Sequence, residues 1–210
     1  MTQENVHVCQ HPLVAEAITI LRDKATEPAL FRRQVYRLAQ VLCYEATADL
    51  ATEPTRVETP LVTCDSQKLA ERVGLVPILR AGLGMASSML DLMPDARVWH
   101  LGLYREHDTL EAKSYYEKLP PVPNFDVALV LDPMLATGGT AVLAMQMLKK
   151  WPDVRVKFVG LIGSPEGVKA LREAHPEVPI HLAALDSHLN EKGYIVPGLG
   201  DAGDRQFATV

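Results

Sequence analysis

The stretch VALVLDPMLATGGT, residues 127–140, decides the fold of this chain. Its apolar half is short and rich in Val and Leu, which is typical of a strand buried on both faces of a parallel sheet. It ends in one carboxylate, Asp132, and a Gly-Gly-Thr turn, and residues 141–151 then have the spacing of an amphipathic helix. A strand, a glycine loop and a helix in this order predict an anion site, because loop amides and first-turn amides converge there.

Asp132 would lie beside the bound anion, where a carboxylate can accept hydrogen bonds from hydroxyls or hold hydrated Mg²⁺. An anion next to a diol indicates a phosphorylated sugar. Pro133 has no amide to donate, so the amides must come from residues 136–140, with hydroxyls from Thr137 and Thr140. Thr140 is also expected to cap the helix. A plain strand-to-helix turn, in which Asp132 is only a cap, is the alternative that this stretch alone leaves open.

Length and composition exclude several classes of protein. The 210 residues, 48% hydrophobic and 22% charged, suffice for one well-cored domain. The net charge of −5 gives no basic footprint for nucleic acid, so anion binding must be local. The three cysteines form no CxxC pair and indicate neither a disulfide framework nor a zinc site. No signal peptide and no membrane-spanning apolar stretch is recognisable, which predicts a cytoplasmic protein without a membrane partner.

Strand and helix patterns alternate over most of the chain. Helices are expected at residues 12–23, 29–50, from the glycine loop at 80–84 to about 92, and 165–174, and strands at 73–79, 97–105, 127–132, 154–162 and 179–185. Strands separated by helices of this length predict βαβ units. The expected fold is therefore α/β, a doubly wound, mostly parallel sheet flanked by helices and forming a single domain over residues 1–210.

Three segments depart from this alternation. Residues 55–63 are β-branched and partly alternating, and Pro60 predicts an edge strand or a break there. Residues 106–124 lack a helical period and are expected to form an extended β-arm protruding from the sheet. Residues 190–210 are dense in glycine and are expected to contain no helix.

A second candidate site lies in VPILRAGLGMASS, residues 76–88. Arg80 comes directly at the end of the predicted strand, where its guanidinium could meet an anion with two parallel hydrogen bonds. A solvated Arg80 beside an ordinary turn is the alternative. Gly82 and Gly84 fall short of the full dinucleotide fingerprint, and no acidic residue follows at the required position.

The third candidate is YIVPGLGDAGDR, residues 194–205. Its glycines complete a G-x-G-x-x-G pattern, but without a following helix a dinucleotide site is excluded. An ordered loop whose backbone edges read a small planar ligand fits this composition better, since Tyr194, Ile195 and Pro197 precede the glycines. A mobile C-terminal tail is the alternative.

Taken together, these segments resemble the uracil phosphoribosyltransferase family. YEATADL (44–50), PEG (165–167) and LNEKGYIVPGLGDAGDRQF (189–207) add to the likeness, which covers nearly the whole chain. The resemblance implies the type I phosphoribosyltransferase fold, with a C-terminal hood at about 186–210. It also implies a pentosyltransferase reaction in pyrimidine salvage: uracil and 5-phosphoribosyl 1-diphosphate (PRPP) give UMP and diphosphate, with Mg²⁺. Asp132-Pro133, where many phosphoribosyltransferases have two acids, fits the uracil branch.

Carried over residue by residue, the resemblance implies two groups of binding residues. PRPP would be bound by Arg80, Arg105, Asp132, Pro133, Met134, Leu135, Ala136, Thr137, Gly138, Gly139, Thr140 and Asp201. Uracil would be bound by Tyr194, Ile195, Gly200, Asp201 and Ala202. Arg80, Asp132 and Asp201 are the expected catalytic residues, and Mg²⁺ would be held mainly by diphosphate and water, with Asp201 as a further ligand.

The resemblance also implies a homodimer or a larger even homo-oligomer, and it leaves open whether GTP is an effector. Two other functions compete with the uracil enzyme. A phosphoribosyltransferase for another base would need a different segment at 194–205. A PRPP- or nucleotide-sensing regulator that binds RNA is disfavoured by the net charge of −5 and the lack of a basic stripe.

Overall fold

The computed structural model describes residues 5–105 and 112–209, and for Arg105 and Ala112 it describes the backbone only. The helices are α1 (Pro12–Arg22), α2 (Pro28–Ala46), α3 (Leu83–Leu92), α4 (Gly139–Leu148), α5 (Pro165–Ala174) and α6 (Ala202–Phe207). The strands are β1 (Val6–Val8), β2 (Thr52–Glu58), β3 (Thr63–Leu69), β4 (Val73–Leu79), β5 (Arg97–Val98), β6 (Leu101–Arg105), β7 (Ala112–Glu117), β8 (Val127–Leu131), β9 (Met134–Leu135), β10 (Arg155–Gly163), β11 (Ile180–Leu185), β12 (His188–Leu189) and β13 (Ile195–Val196).

A nine-stranded, mostly parallel sheet forms the centre of the fold. Its order is β1-β11-β10-β8-β4-β6-β7, with β5 paired to β4 and β9 paired to β10. β8 lies in the middle, and all five of its residues are buried, as its unbroken apolar sequence requires. Buried residues of α1, α2 and α3 form a core on one face, and those of α4 and α5 form a core on the other. The doubly wound α/β prediction is confirmed.

Several predicted boundaries differ from the structure. The strand expected at 97–105 is two strands, β5 and β6, and α2 ends four residues before the expected end. Residues 55–63 contain the break that Pro60 predicts, since β2 ends at Glu58 and β3 begins at Thr63. They belong to an exposed antiparallel hairpin of β2 and β3, with Pro60 in its turn, where a missing amide costs nothing.

The arm predicted at 106–124 differs in one respect. Within its described part, β7 does not leave the sheet but pairs antiparallel with β6 as its edge strand. Residues 106–111 lie outside the described residues.

The parallel strands bring the predicted site segments to one edge of the sheet. Arg80 follows β4, Asp132 follows β8 and Asp186 follows β11, all at carboxyl ends. Ligands of open α/β sheets bind at this edge. In the part of the chain that the structure describes, no helix combines the length and apolarity needed to cross a bilayer.

The C-terminal segment contains the helix α6, although residues 190–210 are expected to contain no helix. Asp201 is the N-cap of α6, and its carboxylate accepts a hydrogen bond from the Asp204 amide at 2.9 Å. An acid at the cap and another in the first turn stabilise even a short helix. The expectation of a helix-free C-terminus was therefore wrong.

Candidate active site

The glycine loop after β8 has the geometry of an anion site. Gly138 adopts a left-handed conformation, with φ +83°, and is the N-cap of α4. Within the described residues, the backbone amides of residues 137–140 donate to no protein group. These amides and the start of α4 can therefore donate to an anion.

Thr140 does not cap α4, contrary to the prediction. The helix begins at Gly139, and the Gly138 carbonyl accepts from the Val142 amide at 2.8 Å. Only glycine adopts the required left-handed conformation without cost, so the turn is placed two residues before the threonine. The Thr140 side chain thereby remains at the cavity wall.

The start of α5 holds this loop in place. Ser164, buried and the N-cap of α5, donates its hydroxyl to the Ala136 carbonyl at 2.6 Å and accepts from the Gly167 amide at 2.9 Å. A Cβ on Gly167 would lie 2.3 Å from the Ala136 carbonyl oxygen and 2.5 Å from that of Leu135. Only glycine allows this approach. Sequence reasoning gave Ser164 and Gly167 no role, although the Ser-Pro-Glu-Gly pattern is a helix-start signal.

Asp132 lies half-buried at the end of β8, and its Oδ1 accepts from the Met134 amide at 3.2 Å. Burial raises the pKa of its carboxyl to about 7, and the negative charge of Asp201 acts in the same direction. A carboxylate held in this way gains from any hydroxyl or cation that compensates its lost hydration. The position suits a contact to a sugar diol.

Arg80 is anchored by the C-terminal helix. Its Nη2 donates to Asp204 Oδ1 at 3.1 Å and its Nη1 lies 3.4 Å from Thr209 Oγ1. The side chain is 55% exposed, so it can reach an incoming anion. The pKa of Asp204 is lowered, first by the hydrogen bond from Thr209 and then by Arg80.

The segment of residues 194–202, which includes β13, lies opposite the glycine loop. Ile195 and Ala202 are buried, Tyr194 is exposed, and Gly200 has φ +77°. A cavity of about 510 Å³ separates this segment from the loop, and it is lined by Asp132, Met134, Ala136, Thr140, Tyr194, Ile195, Gly200, Asp201 and Ala202, among others. The structure thus brings the predicted sugar-phosphate and base segments to one cavity.

A second cavity of about 500 Å³ continues the first toward β6. The two share five lining residues, Ala81, Asp132, Thr140, Asp201 and Gly203, and the second is also lined by Arg80. Tyr104 and Tyr115 line it as well, with ring centroids 6.2 Å apart. No sequence pattern assigns a role to these two tyrosines, because their proximity depends on the antiparallel pairing of β6 with β7.

Two of the predicted PRPP residues do not line the cavity, and a third, Arg105, is not tested. Pro133 and Leu135 are buried, and their carbonyls accept hydrogen bonds from β10 and from Ser164. They face the sheet rather than the cavity. The side chain of Arg105, the third residue, lies outside the described part of the chain.

Among the described residues, the carboxylates that line the cavity are Asp132 and Asp201. Over residues 5–105 and 112–209, no group of three or more His, Cys, Asp or Glu side chains could form a protein-only metal site. Asp201 uses Oδ1 for the α6 cap, which leaves its other oxygen for a ligand. This donor set suits a hydrated cation shared with a bound phosphate.

Comparison with known proteins relates this chain to one family. The family model described as uracil phosphoribosyltransferase matches residues 8–209. A uracil phosphoribosyltransferase of Roseiflexus castenholzii is 61% identical over 206 residues, covering 98% of this chain and 99% of the relative. One of Listeria innocua is 53% identical, with the same coverage.

Solved structures agree with the architecture. A protein from Aquifex aeolicus has a TM-score of 0.91 at 39% identity, with 97% of this chain and 98% of the other covered. A hypoxanthine phosphoribosyltransferase of Staphylococcus aureus has a TM-score of 0.52 at 15% identity, with 75% of this chain and 76% of the other covered. That second likeness shows the fold alone.

Proposed function

The chain belongs to the uracil phosphoribosyltransferase family, and we propose that it transfers the 5-phosphoribosyl group of PRPP to N1 of uracil, giving UMP and diphosphate. The single observation that carries this proposal is the cavity at the carboxyl edge of the sheet. It joins the glycine loop of residues 136–140 to the segment of residues 194–202, and Asp132 and Asp201 line it between them.

The glycine loop would hold the 5′-phosphate of PRPP. The backbone amides of residues 137–140 and the start of α4 provide donors, and Thr137 and Thr140 add hydroxyls. Asp132 would accept hydrogen bonds from the ribose hydroxyls, which favours the charged form of its carboxyl. Arg80 and Arg105 would face the diphosphate.

The opposite wall would read the base. Backbone groups of Ile195, Gly200 and Ala202 can match the donor and acceptor edge of uracil. Cytosine has an amine where uracil has O4, so a rigid backbone edge would leave a polar group mispaired. A buried mispaired group is costly, which provides selectivity for uracil.

Mg²⁺ fits the donor set at the cavity. Asp201 would contribute its free oxygen, and diphosphate and water would supply the remaining ligands, consistent with the preference of this ion for oxygen and for retained water. When bound, the ion supplies positive charge to the diphosphate.

Catalysis would consist of positioning and charge stabilisation by this chain's own residues. As diphosphate leaves, the anomeric carbon gains positive character and the leaving oxygens gain negative charge. Arg80 stabilises those oxygens, and the base segment aligns N1 of uracil with the anomeric carbon. This route needs no covalent nucleophile.

We also propose that the enzyme acts in the cytoplasm as a homodimer or a larger even homo-oligomer. The β2–β3 hairpin supports an assembly, because its exposed apolar side chains, among them Leu61 and Val62, have little reason to face water in a monomer. Light scattering on the purified protein measures its molar mass in solution and therefore its oligomeric state. Adding GTP to the assay tests whether it is an effector.

The test of the proposed function is UMP formation from PRPP with uracil, cytosine, thymine, hypoxanthine and orotate compared. We expect turnover with uracil and at least about a hundredfold lower kcat/KM with cytosine, as expected for a site that reads a base by hydrogen bonds. Preference for another base would refute the assignment of residues 194–202. No transfer to any base, with PRPP still bound, would favour the sensing regulator instead.

A further inference from the structure

An ion pair between a half-buried arginine and a buried aspartate lies beside the base-reading segment. Arg22, the last residue of α1, forms two hydrogen bonds to Asp186, which follows β11. Nη1 donates to Oδ2 at 2.8 Å, and Nη2 donates to Oδ1. The Asp186 side chain is 2% exposed and that of Arg22 is 25% exposed. The two residues are separated by 164 positions, so only the fold brings them together.

This ion pair holds both polar backbone groups of Gly198. The Gly198 amide donates to Asp186 Oδ2 at 2.8 Å, and its carbonyl accepts from Arg22 Nη1 at 2.8 Å. Gly198 itself is in a tight turn, with φ +64°, where an added Cβ would lie 2.1 Å from the Ile195 carbonyl oxygen. The position of Gly198 is therefore fixed, and the base-reading residues 200–202 begin two positions after it.

Arg205 provides a second anchor on the same side. Its Nη1 donates to the Leu199 carbonyl at 2.8 Å and its Nη2 donates to the Asp23 carbonyl at 2.6 Å. The guanidinium lies 4.5 Å from the centroid of the Phe31 ring, a cation–π contact. Residues 198 and 199 are thus attached to the end of α1 by two arginines.

We propose that Arg22 and Asp186 are positioning residues that fix the backbone of residues 200–202 and thereby set the affinity and selectivity for uracil. This inference rests on the proposed function. Backbone groups can select uracil over cytosine only if their positions are fixed, because a mobile loop could rearrange to bind cytosine. A mobile loop would also lose more entropy on binding, which lowers the affinity for uracil. Neither residue lines the cavity, so their effect would act through Gly198.

A purely stabilising role is the competing explanation. Buried ion pairs often contribute little net stability, because the loss of hydration offsets their attraction. That role would weaken PRPP and uracil binding together with thermal stability. The positioning role predicts a change that is concentrated on uracil.

The experiment compares Asp186→Asn with a matched control, Asp126→Asn. Asp126 also accepts two hydrogen bonds from one arginine, Arg72, and one from a backbone amide, but its side chain is 40% exposed and it lies at the amino end of β8. Removing charge-assisted hydrogen bonds from Asp186 should raise KM for uracil roughly tenfold or more and lower the preference for uracil over cytosine. KM for PRPP should change by less than about twofold. The control should leave both values unchanged.

A second variant and a binding measurement keep the outcome decisive. Arg22→Lys retains the charge but cannot bridge both carboxylate oxygens and the Gly198 carbonyl. It should therefore also raise KM for uracil much more than KM for PRPP. PRPP binding is measured by calorimetry without uracil. Equal loss of PRPP and uracil binding, or an unchanged KM for uracil in folded Arg22→Lys, would overturn the positioning role. Failure of the wild-type protein to make UMP would instead refute the proposed function.

Discussion

Replacing Gly167 by alanine tests how closely the PRPP loop must be held. The added Cβ would lie 2.3 Å from the Ala136 carbonyl oxygen, whereas ordinary contact begins at 3.4 Å. The two nearest atoms, the carbonyl oxygens of Ala136 and Leu135, belong to the backbone, so no side chain can rotate away. The Gly167 amide is also fixed by the Ser164 hydroxyl, which keeps α5 from moving freely. The loop must therefore retreat by about 1 Å.

A displacement of this size should be visible mainly in catalysis. A misplacement of about 1 Å can cost about a hundredfold in rate when reacting groups must be aligned. We expect Gly167→Ala to lower kcat/KM for PRPP by roughly that factor. Because alanine favours helix over glycine, the change in the free energy of unfolding should stay within about 1–3 kcal/mol, the usual cost of overpacking.

The assay is initial-rate UMP formation over a range of PRPP concentrations, with thermal unfolding of the same samples. Lys169→Ala is the control, since Lys169 lies exposed on the same helix and its ion pair with Glu173 is loose, at 3.8 Å. A folded Gly167→Ala enzyme with wild-type kcat/KM would refute the idea that α5 sets the position of the loop.

Two further predictions concern the charged residues of the cavity. Asp132 has its pKa raised from 3.8 to about 7, so its contribution to stability is present below pH 3.8 and is lost as the pH rises through 7. Asp132→Asn should therefore be more stable than wild type at pH 8 by up to a few kcal/mol, at about 1.4 kcal/mol per pKa unit. We also expect kcat/KM for PRPP to fall below about pH 7 in wild type and not in Asp132→Asn. Calorimetric unfolding and pH–rate profiles measure the two effects, and a variant with the same pH–rate profile as wild type would contradict the role of Asp132. Arg80→Ala should lower kcat by about a hundredfold. Arg80→Lys should recover only part of the lost turnover, because lysine is a point charge without the planar fork of arginine. Normal turnover in Arg80→Ala would show that the arginine is structural.

The central sheet could be predicted because its strands are encoded locally. All five residues of Val127–Leu131 are apolar and buried, and the turn residues after them leave little choice of where the strand ends. Arg80 and Asp132 could be placed for the same reason, since each directly follows a strand in a parallel sheet. The family likeness then assigned ligands that the strand pattern alone left open.

The contacts that hold the site could not be predicted in this way. Ser164 meets Ala136 across 28 positions and Arg22 meets Asp186 across 164, and no local pattern records either contact. The missed helix α6 is different, because its signal was present. Asp204 follows Asp201 by three residues, and this spacing resembles a capping box. The cap stabilises the helix in spite of the high glycine content of the segment.

The two halves of the site are joined by a continuous series of hydrogen bonds along the sheet edge. The Ser164 amide donates to the Leu135 carbonyl at 3.0 Å, and the Asp186 amide donates to the carbonyl of Gly163, the residue before Ser164, at 2.8 Å. Asp186 in turn accepts from Gly198. Residues in one hydrogen-bond network show coupling of about 0.5–3 kcal/mol in double-mutant cycles.

That connection makes a prediction about combined variants. The loss of kcat/KM in Gly167→Ala with Asp186→Asn should depart from the product of the single losses by about threefold or more, since both changes disturb the same series of contacts. Gly167→Ala with Asp126→Asn should be multiplicative, because Asp126 lies at the other end of β8 and shares no partner with the loop. If both cycles were multiplicative, the PRPP and uracil halves would be held independently, and the shared sheet edge would serve only to place them side by side.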